Sequence, residues 1–214
     1  EKAVKSIVAN PEIEQMEAFD YVSPTDGVTL LNDHELQGLE QSELENYLSQ
    51  IYKSAASNAP SKDKLNLLHY LVSILQNSNN ANLVFESLFM ELFAKLLKGV
   101  KTKPFKVVLC TILGLCLRHA TIVNESIPKL ELPGLFIELL KDPSNTVRRR
   151  AMAALGEFLF YSSDQIDSSD QASMWEIPVS TVNLLNKILN SSTEDDIVKH
   201  YAAKTVENIV CKSK

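Results

Sequence analysis

The stretch DPSNTVRRRAMAALGEFLF, residues 142–160, joins a proline-containing turn to the beginning of a long helix. Its small and apolar side chains recur every three or four residues, as on one face of a helix: Val147, Ala151, Leu155 and Phe158. A shorter segment with helical spacing, residues 133–141, begins at a proline and precedes the turn. The two segments predict a helical hairpin whose second helix covers residues 145–161.

The same plan recurs along the chain. A further hairpin is predicted over residues 178–190 and 194–211, and a helix that begins at Pro104 is predicted to run to about residue 120. Three sets of apolar positions in the long helices are equivalent: the second set follows the first by 42 residues, and the third follows the second by 51 residues. The sets are Phe105, Leu109, Leu113 and Cys116; Val147, Ala151, Leu155 and Phe158; and Val198, Ala202, Val206 and Ile209. A fainter match lies 42 residues earlier and comprises Asp63, Leu67, Leu71 and Ile74.

Paired helices that repeat about every forty residues are typical of HEAT and armadillo arrays, in which neighbouring hairpins complete each other's core. Residues 142–151 also resemble the generic HEAT signature at the turn that precedes a second helix. We therefore predict an all-α fold, a HEAT/armadillo-like α-solenoid of about four helical hairpins with an extended N-terminal segment.

The chain divides into two predicted regions. Residues 1–34 lack a sustained period and are predicted to be extended or loop-like, whereas residues 35–214 form the helical repeat domain. The repeat units are placed at about residues 35–77, 82–120, 132–162 and 176–212.

Capping and breaking residues set the predicted boundaries inside these units. The first helix is expected to begin with Asp33 as its N-cap and to continue until Pro60 interrupts it, and the next opens at Ser61. A third helix is predicted over residues 83–97. The polar insert at residues 162–173 accounts for the extra length of the last unit and predicts a mobile loop.

Composition limits the classes of function. The 214 residues are 45% hydrophobic with only 6 glycines, which indicates a helical protein with a continuous core. The net charge of −6 argues against nucleic acid or anionic membranes as the partner. No run of eighteen apolar residues and no signal peptide is present, so we expect a cytoplasmic protein, and Cys110 and Cys116 suit buried reduced thiols. The first residue is Glu1 rather than Met, which is typical of a segment of a longer chain.

No catalytic motif is present in the sequence. Phosphate-binding loops, dinucleotide fingerprints, zincin helices and paired cysteine motifs are all missing. The four histidines share no ligand spacing: His34, His69, His119 and His200. We expect a non-catalytic segment that binds neither a metal nor a cofactor.

Two groups of basic residues define a candidate partner-binding edge: Lys101, Lys103 and Lys106, and Arg148, Arg149 and Arg150 with Lys199 and His200. Equivalent turns of a solenoid lie in a row, so these cations could form a ridge that binds an acidic peptide, such as a tubulin tail or a phosphorylated segment. The alternative is a solvated edge that pairs with local acids. Trp175 also has two alternative interpretations: it is either a core residue or an exposed aromatic anchor for a partner.

Several short motifs, in the same order along the chain, resemble one family. They are Lys64-Leu65-Asn66-Leu67-Leu68 with Tyr70-Leu71, Gly114-Leu115, Leu155-Gly156-Glu157, Trp175 with Pro178, and His200, Ala202-Ala203-Lys204 and Glu207-Asn208; Asn10-Pro11 with Ile13 resembles the stretch before the repeats. Together they are similar to the repeat region that follows the kinase-like domain in RUNKEL-type pseudokinases, relatives of Fused.

The resemblance implies a non-catalytic scaffold in a kinase-like protein tied to microtubule structures, such as cilia or the cell-division apparatus. The implied partners are a microtubule-associated protein, a kinesin, tubulin or another kinase-like subunit, in a cytoplasmic, cytoskeletal or ciliary location. The kinase-like domain would lie upstream of residue 1. The alternative is a purely structural segment that packs on further repeats or on the kinase-like domain of the same chain.

Overall fold

A computed structural model describes residues 27–58, 60–168 and 175–212, and all regular structure in these ranges is helical. The helices are α1 Asp33–Gln37, α2 Gln41–Ala56, α3 Ser61–Ile74, α4 Ser78–Glu86, α5 Phe89–Gly99, α6 Lys103–His119, α7 Leu132–Leu139, α8 Asn145–Ser168, α9 Val179–Leu189 and α10 Asp196–Lys212. A short 3-10 helix, Ile127–Leu130, precedes α7. The all-α prediction is confirmed. Of the predicted N-terminal segment, residues 1–26 lie outside the described residues.

The predicted first helix is in fact two helices. Asn32, rather than Asp33, is the N-cap of α1: its side chain accepts a hydrogen bond from the Glu35 N–H, and Glu35 accepts one from the Asn32 N–H in return. Helix α2 begins shortly after α1 ends. Its start is stabilised by the Glu43 carboxylate, which accepts a hydrogen bond from the N–H of Glu40. The predicted single helix is therefore interrupted by the three residues that separate α1 from α2.

The helix predicted over residues 83–97 is also divided. Asn77 caps α4 by accepting hydrogen bonds from the N–H groups of Asn79 and Asn80, so the helix begins earlier than predicted. Ser87 then ends α4, since its hydroxyl donates to the Val84 carbonyl. Polar caps, which look like turn residues in the sequence, decide both boundaries.

The polar insert predicted to be a mobile loop begins as helix. Helix α8 continues through Ser168, and the side chains of Ser162 and Gln165 are buried on the face that also carries Phe158 and Tyr161. The loop prediction was wrong for residues 162–168, because burial follows the helical spacing here and not the polarity of the side chains. Residues 169–174 lie outside the described part of the chain.

The helices pack in two layers. The longer helices α3, α6, α8 and α10 contact one another in that order, and the remaining helices cover them: α2 lies on α3, α4 and α5 on α6, α7 on α8, and α9 on α10. Residues predicted to share one register, including Leu71, Leu113 and Leu155, are fully buried between these layers. At the position equivalent to these three, Val206 is 36% exposed, and no described helix follows α10. Asp63, Phe105 and Ile209 of the same register are half-buried.

An extended segment covers the first hairpin. Val28 and Leu30 are buried, and two tyrosines hold the backbone beside them. The Tyr70 hydroxyl donates to the Leu31 carbonyl at 2.8 Å, and the Leu31 N–H donates to the Tyr47 hydroxyl at 3.0 Å. The two hydroxyls lie 2.8 Å apart, so one buried hydrogen-bond network fixes this segment on α2 and α3.

Glycines allow the long helices to approach closely. Gly114 of α6 lies against Ala154 of α8, where an added Cβ would be 3.4 Å from the Ala154 Cα. At Gly156 the approach is closer, because a Cβ there would overlap the Thr205 Oγ1 of α10. The α8–α10 contact therefore requires glycine at position 156.

We expect Gly156→Ala to destabilise the chain by about 1–3 kcal/mol, because the new methyl group overpacks the α8–α10 contact. Urea unfolding measures the change. Thr205→Ala in the same chain should restore much of the loss. The matched control is Gly134→Ala in α7, where an added Cβ meets no atom within 4 Å and the helix gains up to about 1 kcal/mol. Equal effects of the two alanine variants would contradict the close approach.

Candidate protein-binding surface

Lys106, at the beginning of α6, reaches the turn of the next hairpin. Its Nζ lies 2.7 Å from Asp142 Oδ2, and both side chains are mostly buried. Asp142 also accepts a hydrogen bond from the Ser144 N–H, which orders the turn before α8. Burial is the largest single influence and raises the pKa of Asp142, but the hydrogen bonds from Lys106 and the Ser144 N–H and the charges of Lys106 and Arg148 together hold that pKa below its ordinary value.

Arg148 and Arg149, at the beginning of α8, repeat this arrangement one hairpin later. Arg148 Nε donates to Glu194 at 3.0 Å, and Arg149 donates to both carboxylate oxygens of Asp195, at 2.9 and 2.7 Å. The Arg149 side chain is 17% exposed and that of Asp195 is 9% exposed. Such bidentate pairs are stronger and more specific than single contacts between exposed charges.

Asp195 has a second role at the start of α10. One of its oxygens accepts hydrogen bonds from the N–H groups of Ile197 and Val198. Both N–H groups lie in the first turn of α10, where they have no carbonyl partner within the helix. The hydrogen bond from Arg149 is the main reason that the pKa of Asp195 lies below its ordinary value, against the opposing effect of burial. This carboxylate therefore joins α8 to α10 and caps α10 at once.

These pairs define an inter-hairpin ion-pair line: Lys106–Asp142, Arg148–Glu194 and Arg149–Asp195. Three cations of the predicted edge are thus held by acids of the following turn. From the sequence, these cations were identified as part of the candidate edge, with pairing to local acids as the alternative. The individual pairs were not predicted, because the pairing depends on how the turns stack.

The other predicted edge residues differ in exposure. Lys101 and Lys103 are exposed just before and at the start of α6. Lys199 pairs at 2.9 Å with Asp196 of the same helix, whose side chain is 96% exposed. Arg150 and His200 are half-buried, and the His200 ring lies 6.0 Å from that of Tyr201. Lys101 and Lys103 are therefore the most accessible part of the edge, and partner binding there stays a prediction.

Trp175 lies in the core. It is 4% exposed, and its ring meets that of Tyr161 edge-on at a centroid distance of 5.6 Å. Tyr161 in turn donates to the Ile122 carbonyl and accepts from the Asn124 N–H, which fixes the loop after α6. The burial of Trp175 does not fit the exposed-anchor interpretation.

Sequence reasoning missed a groove along the row formed by α6, α8 and α10. This inner groove, of about 190 Å³, is lined by small residues and by polar ones: Gly114, Ala153, Ala154 and Gly156, and Arg118, Arg150, Glu157, Tyr201, Lys204 and Asn208. The equivalence of positions between repeats is the feature of the sequence from which the inner groove could have been predicted. Leu115, Glu157 and Asn208 are equivalent at the same spacings of 42 and 51 residues, and all three line the groove.

Glu157 is a half-buried charge of the inner groove. Its side chain is 31% exposed, and its Oε1 lies 3.9 Å from Arg118 Nη1, whose side chain is 64% exposed. Burial raises the pKa of Glu157, and the nearby Arg118 charge only partly offsets this. Lys204 forms its own ion pair, at 2.8 Å with Glu207.

A larger groove, of about 660 Å³, lies between α1 and the α3–α4 turn. Amide side chains line much of it, but several of them already have structural roles. Asn77 caps α4, the Asn80 side chain donates to the Ile74 carbonyl, and Asn82 exchanges two hydrogen bonds with Thr121. These amides stabilise the turns around the groove.

The described residues contain no group of three or more His, Cys, Asp or Glu side chains placed to hold a metal ion. None of the helices described is long and apolar enough to cross a membrane. Cys110 and Cys116 are buried free thiols, as predicted, and burial raises the pKa of Cys110 to about 12 and that of Cys116 further still.

Relatives of this chain include two serine/threonine-protein kinases. The chain is 31% identical over 167 residues to the serine/threonine-protein kinase RUNKEL of Arabidopsis thaliana, a match that covers 72% of this chain and 12% of that protein. It is 24% identical over 213 residues to the serine/threonine-protein kinase ULK4 of Mus musculus, which covers 96% of this chain and 16% of that protein. The chain thus spans less than a fifth of either relative. No protein-family model and no solved structure matches it.

Variants of Asp195 should separate its two roles. Asp195→Asn keeps a good helix cap but removes the charge opposite Arg149, and we expect a loss of about 1–3 kcal/mol in the free energy of unfolding. Asp195→Ala removes the cap as well and should cost about 1 kcal/mol more. Denaturant unfolding measures both. Asp196→Asn, on the exposed neighbour, is the control and should leave stability unchanged; an equal loss there would contradict the assignment.

The same carboxylates predict acid sensitivity. Asp142 and Asp195 both have folded-state pKa values below the ordinary 3.8, so their contribution to stability is present above that pH and is lost as the pH falls through the folded values. Thermal unfolding between pH 6 and pH 2.5 measures this loss. The wild-type chain should lose more stability across this range than Asp195→Asn. Parallel curves for the two chains would show that Asp195 does not contribute.

Proposed function

Because this chain is homologous to a segment of the RUNKEL- and ULK4-type kinase-like proteins, we propose that it is a HEAT- or armadillo-like scaffold that binds a protein partner and performs no catalysis itself. The observation that carries the proposal is the row of long helices α3, α6, α8 and α10, each covered by shorter helices. Arrays of this kind present long, continuous surfaces suited to binding other proteins.

The proposed setting is a kinase-like parent protein associated with microtubule structures, such as cilia or the cell-division apparatus, in the cytoplasm. The partners proposed are tubulin, a kinesin, another microtubule-associated protein or a second kinase-like subunit. Two surfaces are available to them: the inner groove, and the exposed basic pair Lys101 and Lys103 at one edge. A basic edge is suited to acidic protein segments, because charge attraction speeds their encounter.

A structural role is the second candidate, and an exposed apolar surface favours it. The last hairpin exposes Val179 and Val182 on α9, and Val206 and Val210 on α10. At the positions equivalent to Val206, Leu113 and Leu155 are fully buried, and each of their helices is followed in the row by another long helix. In this alternative, further helices of the parent protein cover the exposed valines.

Co-sedimentation with purified microtubules tests the proposed partner class. We expect the wild-type chain to pellet with microtubules, and Lys101→Glu/Lys103→Glu to bind about ten-fold more weakly at low salt, since two attractive charges become repulsive. Charge reversal at Arg148 or Arg149 is unsuitable, because it would break the inter-hairpin ion-pair line.

The control variant, Lys62→Glu/Lys129→Glu, makes the same change in net charge at exposed sites elsewhere and should bind like wild type. Equal weakening by both double variants would show a general charge effect and not a defined edge. Failure of the wild-type chain to pellet would remove tubulin as the direct partner. Affinity capture from the source cell, with both double variants in parallel, then decides between the remaining partners and the structural role.

A further inference from the structure

A cavity that the proposed function does not use lies between the 3-10 helix, α7, α8 and the start of α9. Its volume of about 410 Å³ falls in the range of pockets that bind organic groups, about 300–1,000 Å³. Most of its lining is apolar and includes Pro128, Pro133, Leu135, Phe158, Trp175 and Ile177. This α7–α9 cavity therefore suits one large apolar group.

One buried hydroxyl, that of Thr181, lies against the α7–α9 cavity. Thr181 is only 1% exposed, yet its hydroxyl makes no hydrogen bond within the described part of the chain. A buried hydroxyl without a partner lowers stability, because it has lost its contact with water and has no hydrogen bond in exchange. A ligand with an O–H or N–H beside its apolar part would supply the missing partner.

Two glutamates lie at the opening of the cavity. Glu131 and Glu176 are exposed, and they are the charged residues of the described lining. Lys98 lies 3.5 Å from Glu131, but both side chains are more than half exposed, so their attraction is weak. A basic group beside the apolar part of a ligand would therefore be attracted to the opening.

The backbone of Glu131 is strained. Its φ of 54° and ψ of 30° lie in the left-handed region, which glycine adopts more easily than glutamate. Residues held in such conformations are concentrated at binding sites. The strain thus falls at the opening of the same cavity, independently of the unpaired hydroxyl inside it.

The three features together favour one kind of ligand group. Tyrosine and tryptophan side chains combine a large apolar ring with an O–H or N–H, and both are frequent anchors at protein interfaces. An aliphatic side chain or an acyl chain would fill the apolar space but would leave the Thr181 hydroxyl without a partner.

We propose that the α7–α9 cavity binds a tyrosine or tryptophan side chain of a partner protein, flanked in that partner by lysine or arginine. The ring packs against Phe158 and Ile177, its O–H or N–H pairs with the Thr181 hydroxyl, and the basic flank lies near the two glutamates. This inference rests on the proposed scaffold function, because it states which partner segment is held. It does not depend on the Lys101 and Lys103 edge, which suits acidic segments.

Short synthetic peptides test the proposal, and Trp175, the single tryptophan of the chain, reports binding through its fluorescence. The probe is a five-residue peptide with blocked ends and one central tyrosine between two lysines. We expect phenylalanine at the centre to weaken binding about five- to ten-fold, because one buried hydrogen bond is lost. Glutamate at both flanks should weaken it about ten-fold at low salt, and alanine at the centre should abolish it.

Variants of the cavity identify the site of binding. Thr181→Val should give the tyrosine and phenylalanine peptides equal affinity, and it should raise the melting temperature of the free chain, because the unpaired hydroxyl is gone. Gly134→Leu should block the cavity and keep the fold, since Gly134 lines it and an added Cβ there meets no atom within 4 Å.

Charge variants test the opening. Glu131→Gln/Glu176→Gln should remove most of the difference between lysine and glutamate flanks. Glu138→Gln is the matched control and should bind like wild type, since Glu138 is exposed on α7 and pairs with Lys141.

Four results would overturn the inference. Equal affinity of the tyrosine and phenylalanine peptides for the wild-type chain would exclude the polar contact, and a lower melting temperature of Thr181→Val would show that the hydroxyl is structural. Binding that survives Gly134→Leu would place the peptide elsewhere. If no peptide changes the Trp175 emission at millimolar concentration, the cavity is not an anchor site. In each case the microtubule and capture experiments still decide the proposed scaffold function.

Discussion

The long helices of the described hairpins bury apolar surface against one another, and the rest of the structure depends on that constraint. A long helix such as α8 is apolar or small on more than one side, so it needs α6, α7 and α10 around it. Leu113, Ala151 and Leu155, on helices packed against those of neighbouring hairpins, are fully buried. The stabilising contacts therefore lie between units as much as within them, as in repeat proteins generally.

Two local devices determine how neighbouring hairpins meet. Glycine and alanine at the α6–α8 and α8–α10 contacts set the distance between the long helices, with Gly156 directly beneath Thr205. The inter-hairpin ion-pair line joins the beginning of one long helix to the turn before the next, and Asp195 adds a helix cap to that contact. The same stacking places Glu157 and Asn208 on one groove, so the candidate binding surface is a consequence of the packing.

Much of the fold was predictable from the sequence because the apolar register is regular. Leu109, Ala151 and Ala202, predicted as equivalent, are all fully buried, and the helices around them begin within two residues of their predicted starts. The errors came from polar residues with structural roles. Asn32 and Asn77 cap helices, Ser87 ends one, and Ser162 is buried inside one, yet in the sequence each resembles a residue of a turn or loop.

The binding surface was less predictable than the fold. Basic residues stood out in the sequence, but the acids that pair with Arg148 and Arg149 are 46 residues away and meet them only when the turns stack. Glu157 and Asn208 stood in the family motifs but were not predicted to line a groove, because a single carboxylate or amide on a helix is ordinary until its neighbours are known. Side chains that share a register position across units are therefore better guides to a groove between stacked helices than charge clusters.

Native-state hydrogen exchange, read by mass spectrometry, tests the dependence of each hairpin on its neighbours most directly. If the hairpins share one core, the amides of α6 and α8 exchange slowest, at a rate set by global unfolding, and the exposed side of α10 exchanges faster. The contrary result would be hairpins that open independently, with α6 and α8 no better protected than α10. That pattern would mean that each unit is stable alone and that the stacked surface is not a fixed feature of the protein.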